Sequence, residues 1–263
     1  MGDFITGFFE EIGGIFVYLG RIIFALVKGP FEGRETLIQM YRVGVQSLLV
    51  VFMAGFFVGG IVCIQFNYPL EMLGAHFYLG GITGSAIFRE VGPVLIAAMI
   101  SGRIGAFIAA ELGTMKVTEQ VDAVRCLGVE PMSHLVAPRF IAVVFMVILL
   151  TILGLIIANV GAAFIALTLL HVNLYYYFAS LLKLTDSTAF LYAAVKGFVF
   201  GLIVATVACR KGMTAEGGAI GVGVAVRSSL VVTAMGLFIA DYFLSSILNV
   251  VVRFTEMGRV LYL

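Results

Sequence analysis

The chain has 263 residues, of which 62% are hydrophobic and 12% charged, with a formal net charge of +1. A soluble domain carries about 25% charged residues, so a water-soluble core is excluded, and a charge balance this close to zero argues against a nucleic-acid partner. Cys63, Cys126 and Cys209 are an odd, widely spaced set with no C-x-x-C pair, which implies neither a disulfide framework nor a zinc site.

With no Pro/Gly/Ser-rich linker, residues 1–263 read as a single all-α integral membrane domain: an interfacial region over 1–42, a transmembrane bundle over 43–251 and a short tail over 252–263. The N-terminus opens with Asp3, Glu10 and Glu11 in place of a basic region, and Arg21 interrupts its apolar run, so it does not read as a cleaved signal peptide. Ile5, Phe8, Phe9, Ile12, Phe16, Leu19, Ile23 and Leu26 recur at helical spacing, with Glu10, Glu11, Arg21 and Lys28 off that face. Such an amphipathic helix lies along the membrane interface. The alternative is a poor first span broken by Arg21.

Five spans follow, approximately 43–66, 85–110, 140–170, 188–208 and 228–251, each long enough for a hydrocarbon core of about 30 Å. Arg21, Lys28, Arg34 and Arg42 precede the first; Lys116, Arg125 and Arg139 lie between the second and third; Arg210, Lys211 and Arg227 flank the connection between the fourth and fifth. The opposite connections carry only Lys183. By the positive-inside rule the N-terminus is cytoplasmic and the C-terminus is on the far side, with Arg253 and Arg259 opposing weakly. Gly55 and Gly59 form a G-x-x-x-G pair in the first span, and Ser101, Gly102, Gly105, Ala106 and Ala109 line the second. Small residues of this kind mark close helix contacts, either inside one protomer or at a dimer seam.

Glu90, Lys196 and Asp241 each stand in a span that is otherwise apolar. A charge at the bilayer centre costs about 2.5 to 3.5 kcal/mol even on lenient insertion scales, so it calls for a partner or a task. Two anions and one cation leave an excess negative charge that Arg89 could compensate; Arg89 could instead meet a lipid phosphate, which guanidinium suits. Val58, Val62, Phe66, Leu70 and Leu73 continue a spacing of three or four residues out of the first span, fit either for acyl chains or for helix packing. His76, His134 and His171 are scattered and have no ligand spacing.

On the basic side, Lys116 to Leu127 reads as a short amphipathic helix: Val117, Val121 and Val124 share a face, Glu119, Asp122 and Arg125 supply charge, Gly128 caps the end and Pro131 stops it. Two spans do not need a well-terminated helix to connect them, and its apolar stripe suits a groove on a partner.

The run Phe88-Arg-Glu-Val-Gly-Pro-Val-Leu95, then Gly102-Arg-Ile-Gly-Ala106, Glu111-Leu-Gly-Thr-Met115, Thr118-Glu-Gln-Val-Asp-Ala123, Leu127-Gly-Val-Glu-Pro131 and Ala137-Pro-Arg139 resembles the permease subunit of MCE-associated ABC transporters, the MlaE/YrbE-type lipid permeases. Departures are Val91, where the family commonly has Leu, and a longer tail after Val251. The resemblance implies a homodimer in a bacterial inner membrane, two copies of a separate ATPase, and an MCE-domain protein carrying phospholipid across the periplasm. Lys116, Glu119, Asp122, Arg125 and Gly128 then belong to a coupling helix docking into that ATPase. Arg89, Glu90, Lys196 and Asp241 match the family's membrane-embedded charges, beside an outward-opening lipid cavity between protomers. The chain has no G-x-x-x-x-G-K-[ST], so ATP and Mg would be bound by the partner ATPase and this subunit would be neither cofactor-dependent nor catalytic. A proton-coupled secondary transporter using Glu90 and Asp241 as relay carboxylates is the alternative, and dependence on a separate ATPase separates the two. A membrane enzyme has only His134 as thin support.

Overall fold

The computed structural model describes the backbone of residues 2–29, 32–185 and 187–261, and side chains within 10–29, 32–185 and 188–251. Every regular element among them is helical. The α-helices are α1 (Gly2–Lys28), α2 (Gly33–Gly44), α3 (Leu48–Met72), α4 (Leu79–Ala86), α5 (Gly92–Val117), α6 (Gln120–Cys126), α7 (Ala137–Thr168), α8 (Leu174–Leu184), α9 (Ser187–Met213) and α10 (Gly218–Leu261). Five stretches are long and apolar enough to cross a bilayer: Gly33–Met72, His76–Val117, Met132–Thr168, Thr188–Met213 and Gly218–Val251. The protein is an all-α integral membrane protein.

The helix that carries the first span begins before the apolar run, because α2 passes through a single 3₁₀ turn, Val45–Ser47, into α3. Ten residues of the region expected at the interface therefore lie in this continuous helix. At the other end, α10 runs on to Leu261, through residues set aside as a tail, since Val250-Val-Val-Arg-Phe-Thr-Glu supplies no breaker. The basic tail residues Arg253 and Arg259, like Ile5, Phe8 and Phe9, lie outside the described side chains.

The chain divides into two units. One comprises Met1–Ser47, Ile100–Met146 and Gly201–Met235 and contains α1, α2 and α6. In it, Ile22 and Ala25 of α1 are buried while Phe16, Ile23 and Val27 are exposed; of the periodic apolar face, Phe16 and Ile23 are exposed and Ile12, Leu19 and Leu26 are half-buried. Glu11 accepts ion pairs from Arg210 and Lys211 at 2.7 Å, and Tyr18 donates to the Cys209 carbonyl at 3.4 Å, which fastens α1 to the end of α9. Burial raises the Glu11 carboxyl, but the Lys211 hydrogen bond and the charges of Lys211 and Arg210 outweigh it and hold the group below its ordinary value.

The other unit comprises Leu48–Met99, Val147–Phe200 and Gly236–Leu263. Here α3 crosses α7 closely: a Cβ on Gly55 would stand 2.6 Å from the Gly154 carbonyl, and one on Gly59 would overlap the Ala158 backbone. The G-x-x-x-G pair is thus a contact within the protomer, as small residues permit in lipid. Helix α8, which the sequence reading did not anticipate, is capped by Asn173, whose side chain accepts from the Tyr175 N–H at 2.8 Å. It packs on α4, where the Gly81 N–H donates to Ser180 at 3.1 Å. At 11 residues it is too short to cross a bilayer.

Candidate functional site: a buried lysine between two carboxylates

Lys196 of α9 is fully buried, yet charged by type, and the fold surrounds its ammonium with acceptors. It donates to the Arg89 carbonyl at 2.7 Å, to Glu90 Oε2 at 2.9 Å and to Ser245 Oγ at 2.8 Å. Those three bonds use all three ammonium protons. Asp241 Oδ1 stands at 2.8 Å as an ion-pair partner but without hydrogen-bond geometry, which is what a fourth acceptor around three protons must be. Ser245, one turn beyond Asp241 on α10, donates to Glu90 Oε2 at 2.6 Å and closes the ring.

Local sequence builds the acceptors. In a regular helix the Arg89 carbonyl would receive the N–H of residue 93, but that residue is Pro93, which has none. The backbone answers with a π turn over Ile87–Val91, in which the Gly92 N–H reaches back to the Ile87 carbonyl, and Lys196 takes the Arg89 carbonyl. The same device recurs at Met132–Val136, just before Pro138. Glu90 is the more open of the two carboxylates, with 42% of its side chain exposed against 19% for Asp241. An open cavity of 440 Å³ touches Glu90 and Arg89 and is lined also by Ile82, Ser85 and Leu184. The Arg89 guanidinium lies 5.7 Å from the Tyr192 ring centroid, and its buried Nε has no hydrogen-bond partner among the described residues.

The structure therefore brings Glu90, Lys196 and Asp241 together, and adds Ser245 and the Arg89 carbonyl. It corrects the proposed acyl-chain stripe: Val62 and Leu70 are buried, Val58 and Phe66 partly so, and only Leu73 is exposed. A period of three or four residues marks a face without saying whether protein or lipid covers it. The exposed face of α3 is carried instead by Phe57, Ile61 and Ile64.

The helix expected over 116–127 is also redrawn. Lys116 and Val117 end α5; Glu119, at φ +60°, breaks the chain, and α6 starts at Gln120. Its end is a Schellman motif, with Gly128 N–H to the Arg125 carbonyl at 3.0 Å, Val129 N–H to the Val124 carbonyl at 3.3 Å, and Gly128 at φ +76°. Val121 is buried in the protein, and Asp122 is held by Lys116 at 3.0 Å and Arg125 at 3.4 Å. The outward face is Gln120, Ala123, Cys126 and Leu127. Of the valine stripe, Val121 faces the protein and Val117 and Val124 are half-buried.

Two further clusters escaped the reading of spans. Arg139, almost wholly buried, grips Glu111 through Nε and Nη2, both at 3.2 Å, and donates to the Leu135 carbonyl at 2.6 Å, while Arg42 approaches Glu111 at 3.5 Å. This joins α2, α5 and α7 beside α6. Arg103, deep in the second span, donates to Ser47 at 2.6 Å and Gln46 at 3.3 Å. Its place in an apolar run was a signal equal to that of Glu90. Among the described residues, no group of His, Cys, Asp and Glu could hold a metal.

Five apolar spans and a paired intramembrane charge cluster define a polytopic helical membrane protein. The family model described as Permease MlaE matches residues 36–247, so the chain belongs to the MlaE permease family. It is 35% identical over 237 residues to the probable ABC transporter permease protein of Synechocystis, covering 90% of each chain. A probable ABC transporter permease protein of Rickettsia typhi is 33% identical over 91% of this chain and 93% of its own. The chloroplastic protein trigalactosyldiacylglycerol 1 of Arabidopsis thaliana is 34% identical over 88% of this chain, which spans 66% of that protein. The protein is an ABC transporter permease.

Proposed function

We propose that this permease moves phospholipid between a bacterial inner membrane and a periplasmic MCE-domain carrier, as a homodimer driven by a separate ATPase that binds ATP and Mg. The observation that carries the reading is Arg89, a guanidinium side chain at an open cavity that also reaches Glu90 of the ion cluster. Phosphate oxygens suit such a donor. Phe57, Ile61 and Ile64 on the exposed face of α3 offer acyl-chain contacts in place of the buried Val62 and Leu70. The name of the Arabidopsis relative contains a diacylglycerol glycolipid, which supports a lipid substrate in general and not the phosphate contact. Homodimer formation is favoured by α10, of whose most apolar stretch only 22% is buried, against 44% to 56% for the other spans. The cytoplasmic N-terminus follows from the basic connections. The ATPase would dock on Ala123, Cys126 and the 81% exposed Leu127, and the chain itself is non-catalytic in this scheme.

The test is transfer of labelled phospholipid between proteoliposomes and the carrier protein. It should require the ATPase and ATP, and fall by roughly tenfold or more in R89A, the order of losing one charged hydrogen-bonding group. Transfer that proceeds unchanged without nucleotide would sink the scheme and favour the proton-coupled alternative.

A further inference from the structure

A cavity of 990 Å³ lies between the C-terminal half of α1 and the chain that follows α6, wholly within the unit containing both. On the α1 side, Val17, Arg21, Phe24 and Lys28 line it at spacings of three or four; on the other, Arg125, Glu130 and Ser133 do. Its charged lining is three cations, Arg21, Lys28 and Arg125, against two carboxylates, Glu32 and Glu130, a net of one positive charge with His134 neutral. Glu32 is engaged by His134, and Arg125 leans on Asp122. The Lys28 ammonium lies 4.4 Å over the Phe24 ring, and Arg21 has no carboxylate within ion-pair distance among the described residues. The same helix exposes Phe16, Ile23, Phe24 and Val27, and it lies outside the five spans.

We propose that this cavity holds the headgroup of an anionic phospholipid from the leaflet on which α1 rests, its phosphate between Arg21 and Lys28 and its chains over Phe24. One negative charge complements the net positive lining. A soluble anion would satisfy the cations and leave the apolar residues bare, whereas a lipid covers both. The bound lipid joins α1 to the segment leaving α6, so the lipid composition of the leaflet bears on the position of the ATPase-facing helix. This site is separate from Arg89 and does not depend on the transported substrate.

Native mass spectrometry of the delipidated full-length permease, offered phosphatidylglycerol and phosphatidylcholine at equal concentration, tests the assignment. Phosphatidylglycerol should be retained about thirtyfold better, the order expected for two basic side chains near a membrane surface. R21Q/K28Q should erase the preference, while R34Q/R227Q, which removes two exposed charges elsewhere, should keep it. Equal preference in R21Q/K28Q and wild type overturns the proposal. A photo-crosslinking amino acid in place of Phe24 provides a second reading on a protein with its charges intact. An adduct of phospholipid mass in cells supports the site; an adduct with the ATPase or another protein, or no adduct, overturns it.

Discussion

At the scale of single residues, the decisive quantity is the imbalance around Lys196: one cation, two carboxylates and a carbonyl that a proline leaves without its helical donor. Removing the lysine strands both anions, and breaking a buried pair from one side costs about 3–5 kcal/mol. K196A should therefore lower stability by that order in detergent unfolding, whereas K196A/D241A, which also removes the more buried carboxylate, should regain at least about 1 kcal/mol. Strictly additive losses in the double-mutant cycle would show that Lys196 and Asp241 act independently. That three isolated charges meet was legible from their cost in lipid. That Ser245 joins them was latent in its place one turn after Asp241.

At the scale of elements, backbone chemistry sets the special geometry. Both π turns precede a proline, at Pro93 and Pro138, because a missing N–H breaks the regular ladder and the longer π bond re-pairs part of it. The glycine at 128 was read correctly as a helix end, since only a residue tolerant of positive φ closes a Schellman motif cheaply. The face that α6 turns outward was not legible, because Val121 and Val124 are apolar whether they meet a partner or their own chain. A123D/L127D should consequently abolish co-purification with the ATPase while membrane insertion is unchanged. Retention of the ATPase by that variant would remove α6 from the interface.

For the whole molecule, the cysteines offer a topological reading. Cys63 and Cys209 are buried, and Cys126 is exposed at the end of α6. A membrane-impermeant maleimide should label Cys126 from the cytoplasmic face of inverted vesicles stripped of the ATPase and leave intact cells unlabelled, with C126S abolishing the signal. Labelling in intact cells would reverse the orientation derived from Lys and Arg counts.

The sequence by itself determined the class of fold, since only helices satisfy the backbone through a bilayer when composition is this apolar. It also determined the number of spans and that Glu90, Lys196 and Asp241 needed partners, because each is a local cost that a short window reveals. Only the tertiary structure decided which apolar faces are occupied: Val62 and Leu70 are buried in the protein, Gly59 presses against α7, and α8 packs on α4. The physical reason is that lipid and protein interior are equally apolar. Hydrophobic periodicity then locates a face, and three-dimensional packing alone names its neighbour.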